Sequence, residues 1–209
     1  MSSYVMHICV SDIVKRKLNL TDKFVFGAIL PDLLKNQGED RDPTHYIETV
    51  VVDGDIRKLP NIQKAIDELV LMDDEIKLGY IAHLVEDLIW FNDFIPTYAK
   101  KTEQDGKVIY LKDGTVHDNE EFNQEIYLDY TNSNEYVAKK CDVNIDDMIE
   151  NLLGIACGQI AMKPLIQNSI CPKGLNYRNN KFMTKESIDK YIEVCTKEVE
   201  KIILSLMGE

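Results

Sequence analysis

The chain has no run of about 18 consecutive apolar residues, the minimum for a membrane-spanning helix. Its first residues, MSSYVMHICVSDIVKRK, place the charges after a short apolar stretch, the reverse of a secretory signal peptide. The five cysteines are odd in number, widely spaced and never arranged as C-x-x-C, so we expect neither a disulfide framework nor a thiolate zinc knuckle. These absences favour a cytoplasmic protein without a membrane span.

Basic residues are also scarce: the chain has 24 lysines and arginines but 36 aspartates and glutamates, and its formal net charge is −12. A stable nucleic-acid partner is therefore not expected, because neutralising phosphates needs a basic surface. The acidic balance and the lack of a basic amphipathic helix also argue against a lipid-surface binder. What the chain does have is 209 residues with 44% hydrophobic content, enough for a single domain over residues 1–209 with a full core.

Helical spacing of apolar residues dominates the pattern. It predicts helices over residues 4–18, 22–34, 61–71, 74–94, 120–140, 145–166 and 184–207, the last with Thr184 as its N-cap. The polar interval 36–60 predicts a structured loop with at most a short extended piece, and a Pro/Gly/Asn-rich loop is expected through Asn180. The Asp-Gly pair in VIYLKDGTV indicates one small β-hairpin near residues 107–116. The expected fold class is all-α, a single multi-helix domain.

The sharpest chemical feature is the pair His83 and Asp87, four residues apart in the otherwise apolar segment GYIAHLVEDLIW. Residues at this spacing share a helix face and can offer an imidazole nitrogen and a carboxylate oxygen to one ion, a combination that suits zinc, manganese or iron better than calcium. The alternative is an ordinary intrahelical hydrogen bond or ion pair. Burial favours the metal site, because buried polar groups need strong partners. Glu86 serves either the same surface or the neighbouring turn.

Three further residues are candidate ligands only in conjunction. Taken singly, His7 can be a core histidine satisfied by a backbone carbonyl, Asp32 a turn or cap aspartate after Pro31, and His45 an ordinary loop histidine. A second pair, His117 and Glu121, is again four residues apart. There Asp118 can instead be a helix N-cap, which would leave His117 as a plain loop residue.

The order of these motifs resembles the zinc-dependent phospholipase C family, whose relatives include single-strand nucleases of similar fold. The resemblance lies in His7, in G-x-x-x-P-D ending at Asp32, in T-H-Y around His45, and in G-Y-x-x-H-x-x-x-D ending at Asp87. It covers about the first 125 residues. It implies an all-α fold and a small phosphoester or phospholipid as substrate.

The resemblance also implies a cluster of two or three zinc ions or other divalent transition metals. By the family pattern Asp32, His45 and His83 share one ion, and Asp87 bridges it to a second ion that His7 also contacts. His117 and Glu121 correspond to the pair that serves a further zinc. Two departures stand out: the family uses a processed N-terminal tryptophan where this chain has Met-Ser-Ser, and Asn92 and Asp93 stand where the family has another histidine. We therefore expect a weaker or smaller site near His7 and a carboxylate-rich or absent one near His117.

The predicted activity is metal-dependent hydrolysis of a phosphate ester by activated water, with Asp32 as the candidate residue that orients the water or takes its proton. One alternative enzyme class is an HD-type phosphohydrolase, for which only His117 and Asp118 provide an adjacent pair. The other alternative is a non-catalytic helical protein with structural histidines, or one that has lost a competent cluster. Metal content separates this alternative from the hydrolase hypothesis.

Overall fold

The structure is a computed structural model that describes residues 3–36, 40–52, 55–102, 106–155 and 179–208. It is mainly helical, as predicted, with two small antiparallel sheets. The α-helices are α1 (Tyr4–Leu18), α2 (Asp22–Asn36), α3 (Arg41–Thr44), α4 (Ile62–Glu68), α5 (Asp74–Ile89), α6 (Asn119–Cys141), α7 (Ile145–Ile155) and α8 (Lys185–Met207). A π-helical turn (Trp90–Phe94) and a 3-10 turn (Ile95–Thr97) follow α5. The strands are β1 (Ile47–Val52), β2 (Asp55–Pro60), β3 (Ala99–Lys101), β4 (Lys107–Tyr110) and β5 (Val116–Asp118).

Local capping explains where the best-predicted helices begin. The Ser3 hydroxyl accepts the Met6 N–H at the start of α1, and α1 ends at Asn19 in the left-handed conformation. Thr184 and Ser187 form a reciprocal capping box at the start of α8. The predictions for α1 and α8 are confirmed, whereas the predicted helix beyond residue 155 and most of the loop through Asn180 lie outside the described residues.

The prediction of a loop over residues 36–60 is wrong for most of that interval. After the short helix α3, strands β1 and β2 pair in antiparallel register from Ile47 opposite Pro60 to Val52 opposite Asp55. The run of β-branched residues in ETVVV favours extended backbone, which the breakers around it had obscured. The expected hairpin near residues 107–116 is present as β4 and β5, and β3 adds a third strand to it.

Helices α2 and α5 form the centre of the fold. Helix α1 packs on α2, and α6 and α8 pack against α1. One hydrophobic core runs through these helices and includes the buried Trp90. Cys9, Cys141 and Cys195 are buried free thiols, whereas the other two cysteines are not in the described part. No described helix combines the length and apolar character that crossing a membrane requires.

A buried carboxylate on α6 fixes the entry to α8. Asp129 is fully buried, and its oxygens accept the backbone N–H groups of Lys181, Phe182 and Met183 at 2.9, 2.6 and 2.9 Å. We expect Asp129→Ala to lower the free energy of unfolding by about 3 kcal/mol, because several buried N–H donors lose their acceptor. Urea unfolding measures the loss. A change below about 1 kcal/mol would show that water or other acceptors replace the carboxylate.

Candidate metal centre

Four segments deliver polar side chains to the middle of the core. His7 comes from α1, Asp32 from α2, His45 directly follows α3, and His83 and Asp87 come from α5. All five side chains are buried, with exposed fractions of 0 to 3%. Since burial of polar groups is costly unless they are paired, a cluster of this kind calls for strong mutual partners or a ligand.

The close approach of α2 and α5 brings two of these segments together. A Cβ atom on Gly27 would lie 2.1 Å from the Ile76 carbonyl oxygen, and one on Gly79 would lie 1.9 Å from the Phe24 carbonyl oxygen. The two backbones are therefore in direct contact, which only glycine permits. Asp32 and His83 follow these glycines by five and four residues, so both side chains emerge near the crossing point.

Asp87 lies at the centre of the cluster. Its Oδ1 atom is 3.9 Å from Nε2 of His7, while its Oδ2 atom is 4.0 Å from Nε2 of His45 and 3.9 Å from Nε2 of His83. The rings of His7 and His83 stack with their centroids 4.0 Å apart. All three imidazoles thus direct the same nitrogen towards one carboxylate.

The opposite nitrogen of each ring faces an acceptor outside the cluster. Nδ1–H of His83 donates to the Ala28 carbonyl oxygen at 2.7 Å, whereas Nδ1 of His45 lies 2.9 Å from the Thr44 hydroxyl and 3.2 Å from the Arg41 carbonyl oxygen. Nδ1 of His7 is 3.1 Å from Oε2 of Glu86. Because a carbonyl oxygen only accepts, the proton of His83 is assigned to Nδ1 and its Nε2 lone pair points inward, whereas Nε2–H of His45 donates to Oδ1 of Asp32 at 3.2 Å.

Electrostatics keeps the imidazoles of His7 and His83 neutral. Burial lowers the pKa of His83, and burial together with the neighbouring His83 lowers the pKa of His7 even further. Among the described residues, Nε2 of His83 and both oxygens of Asp87 have no hydrogen-bond partner. Lone pairs of imidazole and carboxylate therefore meet without a proton between them, which is the arrangement that a cation stabilises.

The acidic residues of the cluster divide into two kinds. Burial alone would raise the pKa of Asp32, but the hydrogen bond from Nε2–H of His45, 3.2 Å from Oδ1, and the electrostatic interactions with the rings of His83 and His7 outweigh it, so the pKa lies below its usual range. Burial acts on Asp87 in the same sense, but its interactions with the N-terminus and the neighbouring histidines outweigh burial and lower its pKa. Burial and the charge of Asp87 raise the pKa of Glu86 well above its usual value.

The ligand atoms fall into two overlapping groups. Asp32, His45 and His83 form one, and His7, His83 and Asp87 form the other, with all atoms of a group within 4.8 Å of one another. The structure therefore brings together five of the seven residues that the family resemblance implied as ligands, and His117 and Glu121 are not among them. It differs from the implied pattern in that His83 is common to both groups. Binding of a metal by these residues stays a prediction.

The alternative interpretations of Asp32, His45 and His7 as ordinary structural residues do not fit this geometry. Asp32 is not a turn or cap residue, because α2 continues through Pro31 to Asn36 and buries its side chain. His45 is fully buried beside Thr44 instead of being exposed in a loop. His7 contacts a carboxylate and another imidazole.

His117 and Glu121 form a separate pair at the three-stranded sheet. The His117 ring stacks on Tyr110 at 3.8 Å, its Nε2 atom is 2.8 Å from the Thr115 hydroxyl, and its Nδ1 atom is 3.6 Å from Oε2 of the exposed Glu121. In the described part of the chain, no third histidine, cysteine or carboxylate completes a metal-ligand group with them. The implied further zinc site thus gains no support from this geometry.

Asp118 does not form an adjacent metal pair with His117. It occupies the N-cap position of α6, as the alternative proposed, but its side chain makes no cap hydrogen bond and instead accepts from Lys107 at 2.6 Å. His117 and Asp118 are neighbours on a strand, so their side chains point to opposite faces. The HD-type hypothesis therefore loses its only candidate pair.

Comparison with known families, curated proteins and solved structures finds no match for this chain. The resemblance to the zinc-dependent phospholipase C family accordingly stays a prediction. The case for function depends on the chemistry of the buried cluster.

Proposed function

We propose that this protein is a metal-dependent phosphoric ester hydrolase, similar to phospholipase C, that binds zinc or another divalent transition metal in the buried cluster. The single observation that carries the proposal is the convergence of unprotonated ligand atoms: Nε2 of His83 and both oxygens of Asp87 meet without hydrogen-bond partners among the described residues. Without a cation, this arrangement buries a carboxylate against imidazole lone pairs, which is unfavourable.

The donor set supports the choice of metal. Three imidazoles and two carboxylates provide nitrogen and oxygen ligands of the kind that zinc, manganese and iron prefer over calcium. The candidate ligand groups in the described residues contain no thiolate. Outer acceptors on Nδ1 of the histidines fix the ring orientations, as is usual for histidines that bind metal.

The two oxygens of Asp87 face different ligand groups, Oδ1 towards His7 and Oδ2 towards His45 and His83. Asp32, His45 and His83 would hold one ion, while His7 and Asp87 would hold a second and Asp87 would bridge the two. His83 has a single inward lone pair, so it can serve only one ion at a time. Such a set leaves coordination positions open, which is typical of catalytic sites.

A divalent cation held there would polarise a phosphate oxygen and lower the pKa of a coordinated water. Asp32 is ionised at neutral pH, and one of its oxygens is held by His45. A carboxylate with a lowered pKa is a weak proton acceptor, so we assign Asp32 the role of orienting the attacking water. The buried surroundings of the cluster strengthen each of these electrostatic contacts.

Metal content and hydrolysis test the proposal together. Protein purified without added metal is dialysed against zinc, and bound zinc is counted by mass spectrometry. We expect one or two ions per chain and a stabilisation of about 4 kcal/mol at a free zinc concentration a thousandfold above Kd. The zinc-loaded protein should also hydrolyse bis(p-nitrophenyl) phosphate.

Negligible zinc and an unchanged melting temperature would instead support the non-catalytic helical protein. Tight zinc binding without hydrolysis of either this diester or short-chain phospholipids would overturn the enzymatic part of the proposal.

A further inference from the structure

Glu86 is a fully buried carboxylate that stands next to Asp87 on α5. Its Oε2 atom is 3.1 Å from Nδ1 of His7, and both partners are completely inaccessible to solvent. In the described part of the molecule neither oxygen of Glu86 meets the geometry of a hydrogen bond, so burial of this carboxyl group is costly. The 3.1 Å contact with His7 is the interaction that can offset this cost.

We propose that Glu86 is a positioning residue whose carboxyl oxygen accepts a hydrogen bond from Nδ1–H of His7 and thereby directs the Nε2 lone pair of His7 to the metal. The inference rests on the proposed function, because it assigns a role towards the metal held by the cluster. It adds a residue that the family resemblance did not imply.

The two consecutive carboxylates of α5 contact opposite edges of one imidazole ring. Oδ1 of Asp87 is 3.9 Å from Nε2 of His7, while Oε2 of Glu86 is 3.1 Å from Nδ1. The Glu86 carboxyl group lies on the Nδ1 side of the His7 ring, away from Nε2, the nitrogen that would bind the metal. Glu86 is therefore placed to orient His7 and not to coordinate the same ion.

The outer nitrogen of His7 differs from those of the other two histidines in facing a carboxyl group. The ring nitrogens of His83 and His45 are oriented by backbone carbonyls, of Ala28 and Arg41 respectively. Partners of this kind fix the orientation of a metal-binding imidazole, and their removal typically weakens metal binding by about 10- to 100-fold. His7 comes from α1, near the start of the described chain, and Glu86 ties its ring to the central helix α5.

Two variants separate the acceptor from the bulk of the side chain. Glu86→Gln retains an oxygen that can accept a hydrogen bond from Nδ1–H of His7, whereas Glu86→Leu removes this acceptor and keeps a similar side-chain volume. Zinc affinity is measured by chelator competition, and nitrogen-15 spectra of the histidines report which ring nitrogen of His7 carries the proton. We expect Glu86→Gln to stay within a few-fold of the wild-type affinity, while Glu86→Leu weakens the His7 position about 10- to 100-fold and spares the Asp32 position.

Stability gives an independent readout. Replacing the buried Glu86 carboxyl group by leucine removes a desolvation cost but also takes the acceptor from His7, so the melting temperature of the metal-free protein should change little. The matched control is Asp129→Asn, which alters another fully buried carboxylate on α6. This control should lower the melting temperature and leave the zinc affinity of the folded protein within about twofold.

Wild-type zinc affinity and an unchanged His7 tautomer in Glu86→Leu would overturn the positioning role alone. A fall in melting temperature without a selective loss at the His7 position would also overturn it, because Glu86 would then be a structural residue. Failure of the wild-type protein to bind zinc would overturn the proposed function itself. This result comes from the wild type alone, so it is distinct from any result of the Glu86 variants.

Discussion

Replacing His83 by alanine should empty the cluster of metal and reduce phosphodiester hydrolysis by about a thousandfold or more. His83 holds the first ion together with Asp32 and His45, and Asp87 bridges that ion to the second, so loss of the first ion also weakens the second. The several kcal/mol that a metal contributes to the transition state correspond to this factor, since each 1.4 kcal/mol or so is tenfold in rate. Bound zinc is counted after dialysis, and hydrolysis is followed with bis(p-nitrophenyl) phosphate.

The helices should survive this change. Alanine favours helix, and the main cost is the unsatisfied carbonyl of Ala28, about 1 kcal/mol. Circular dichroism checks the helix content. His117→Ala is the matched control, because His117 lies at the three-stranded sheet and should leave zinc content and hydrolysis unchanged. Full zinc content in His83→Ala would refute the assignment of the cluster, and full activity in Asp87→Ala would refute the bridging role of Asp87.

Replacing Gly79 by alanine should cost about 3 kcal/mol of stability or more and weaken zinc binding together with it. The new Cβ would lie 1.9 Å from the Phe24 carbonyl oxygen and 2.9 Å from the Ala28 nitrogen. These are backbone atoms and cannot rotate away as a side chain would, so α2 and α5 must separate. Separation of the two helices moves the Ala28 carbonyl away from Nδ1 of His83 and displaces Asp32 from the cluster.

Urea unfolding and zinc titration of the folded fraction measure the two effects. Gly154→Ala provides the control, because a Cβ there meets no atom of the described residues within 4 Å, and it should leave stability unchanged or raise it by up to about 1 kcal/mol. If Gly79→Ala were as stable as the wild type, the close contact between the two backbones would be contradicted.

Sequence patterns predicted helices α1 and α8 well, because their caps and apolar spacing are local signals. The predicted helix over residues 22–34 is also confirmed, as α2, although it contains a proline. Helix α2 continues past Pro31 although proline usually ends a helix, since burial in the core maintains it. The pairing of β1 with β2 depended on hydrogen bonds between strands, which breakers such as Pro43 and Gly54 concealed in a single-sequence reading.

In the candidate site, too, local sequence signals predicted only part of what the structure shows. The helical spacing of His83 and Asp87 indicates a shared face, but nothing local indicates that His7 or His45 would meet them, and only the order of the family motifs suggested it. Glu86 could be noticed as a carboxylate in an apolar helix, but its partner is on α1. Backbone acceptors such as the Ala28 carbonyl have no sequence signature at all.

Pro31 makes α2 a helix that local forces do not favour. Proline inside a helix lacks the N–H that would bond the Gly27 carbonyl and costs about 3 kcal/mol. The same helix contributes both Asp32 and the Ala28 carbonyl that orients His83. In the nascent or partly unfolded chain α2 should therefore be frayed, and its ligands scattered, until α5 packs against it. On the proposed metal binding, zinc capture would report completion of the core, and the metal-free protein would be most open to proteases in α2.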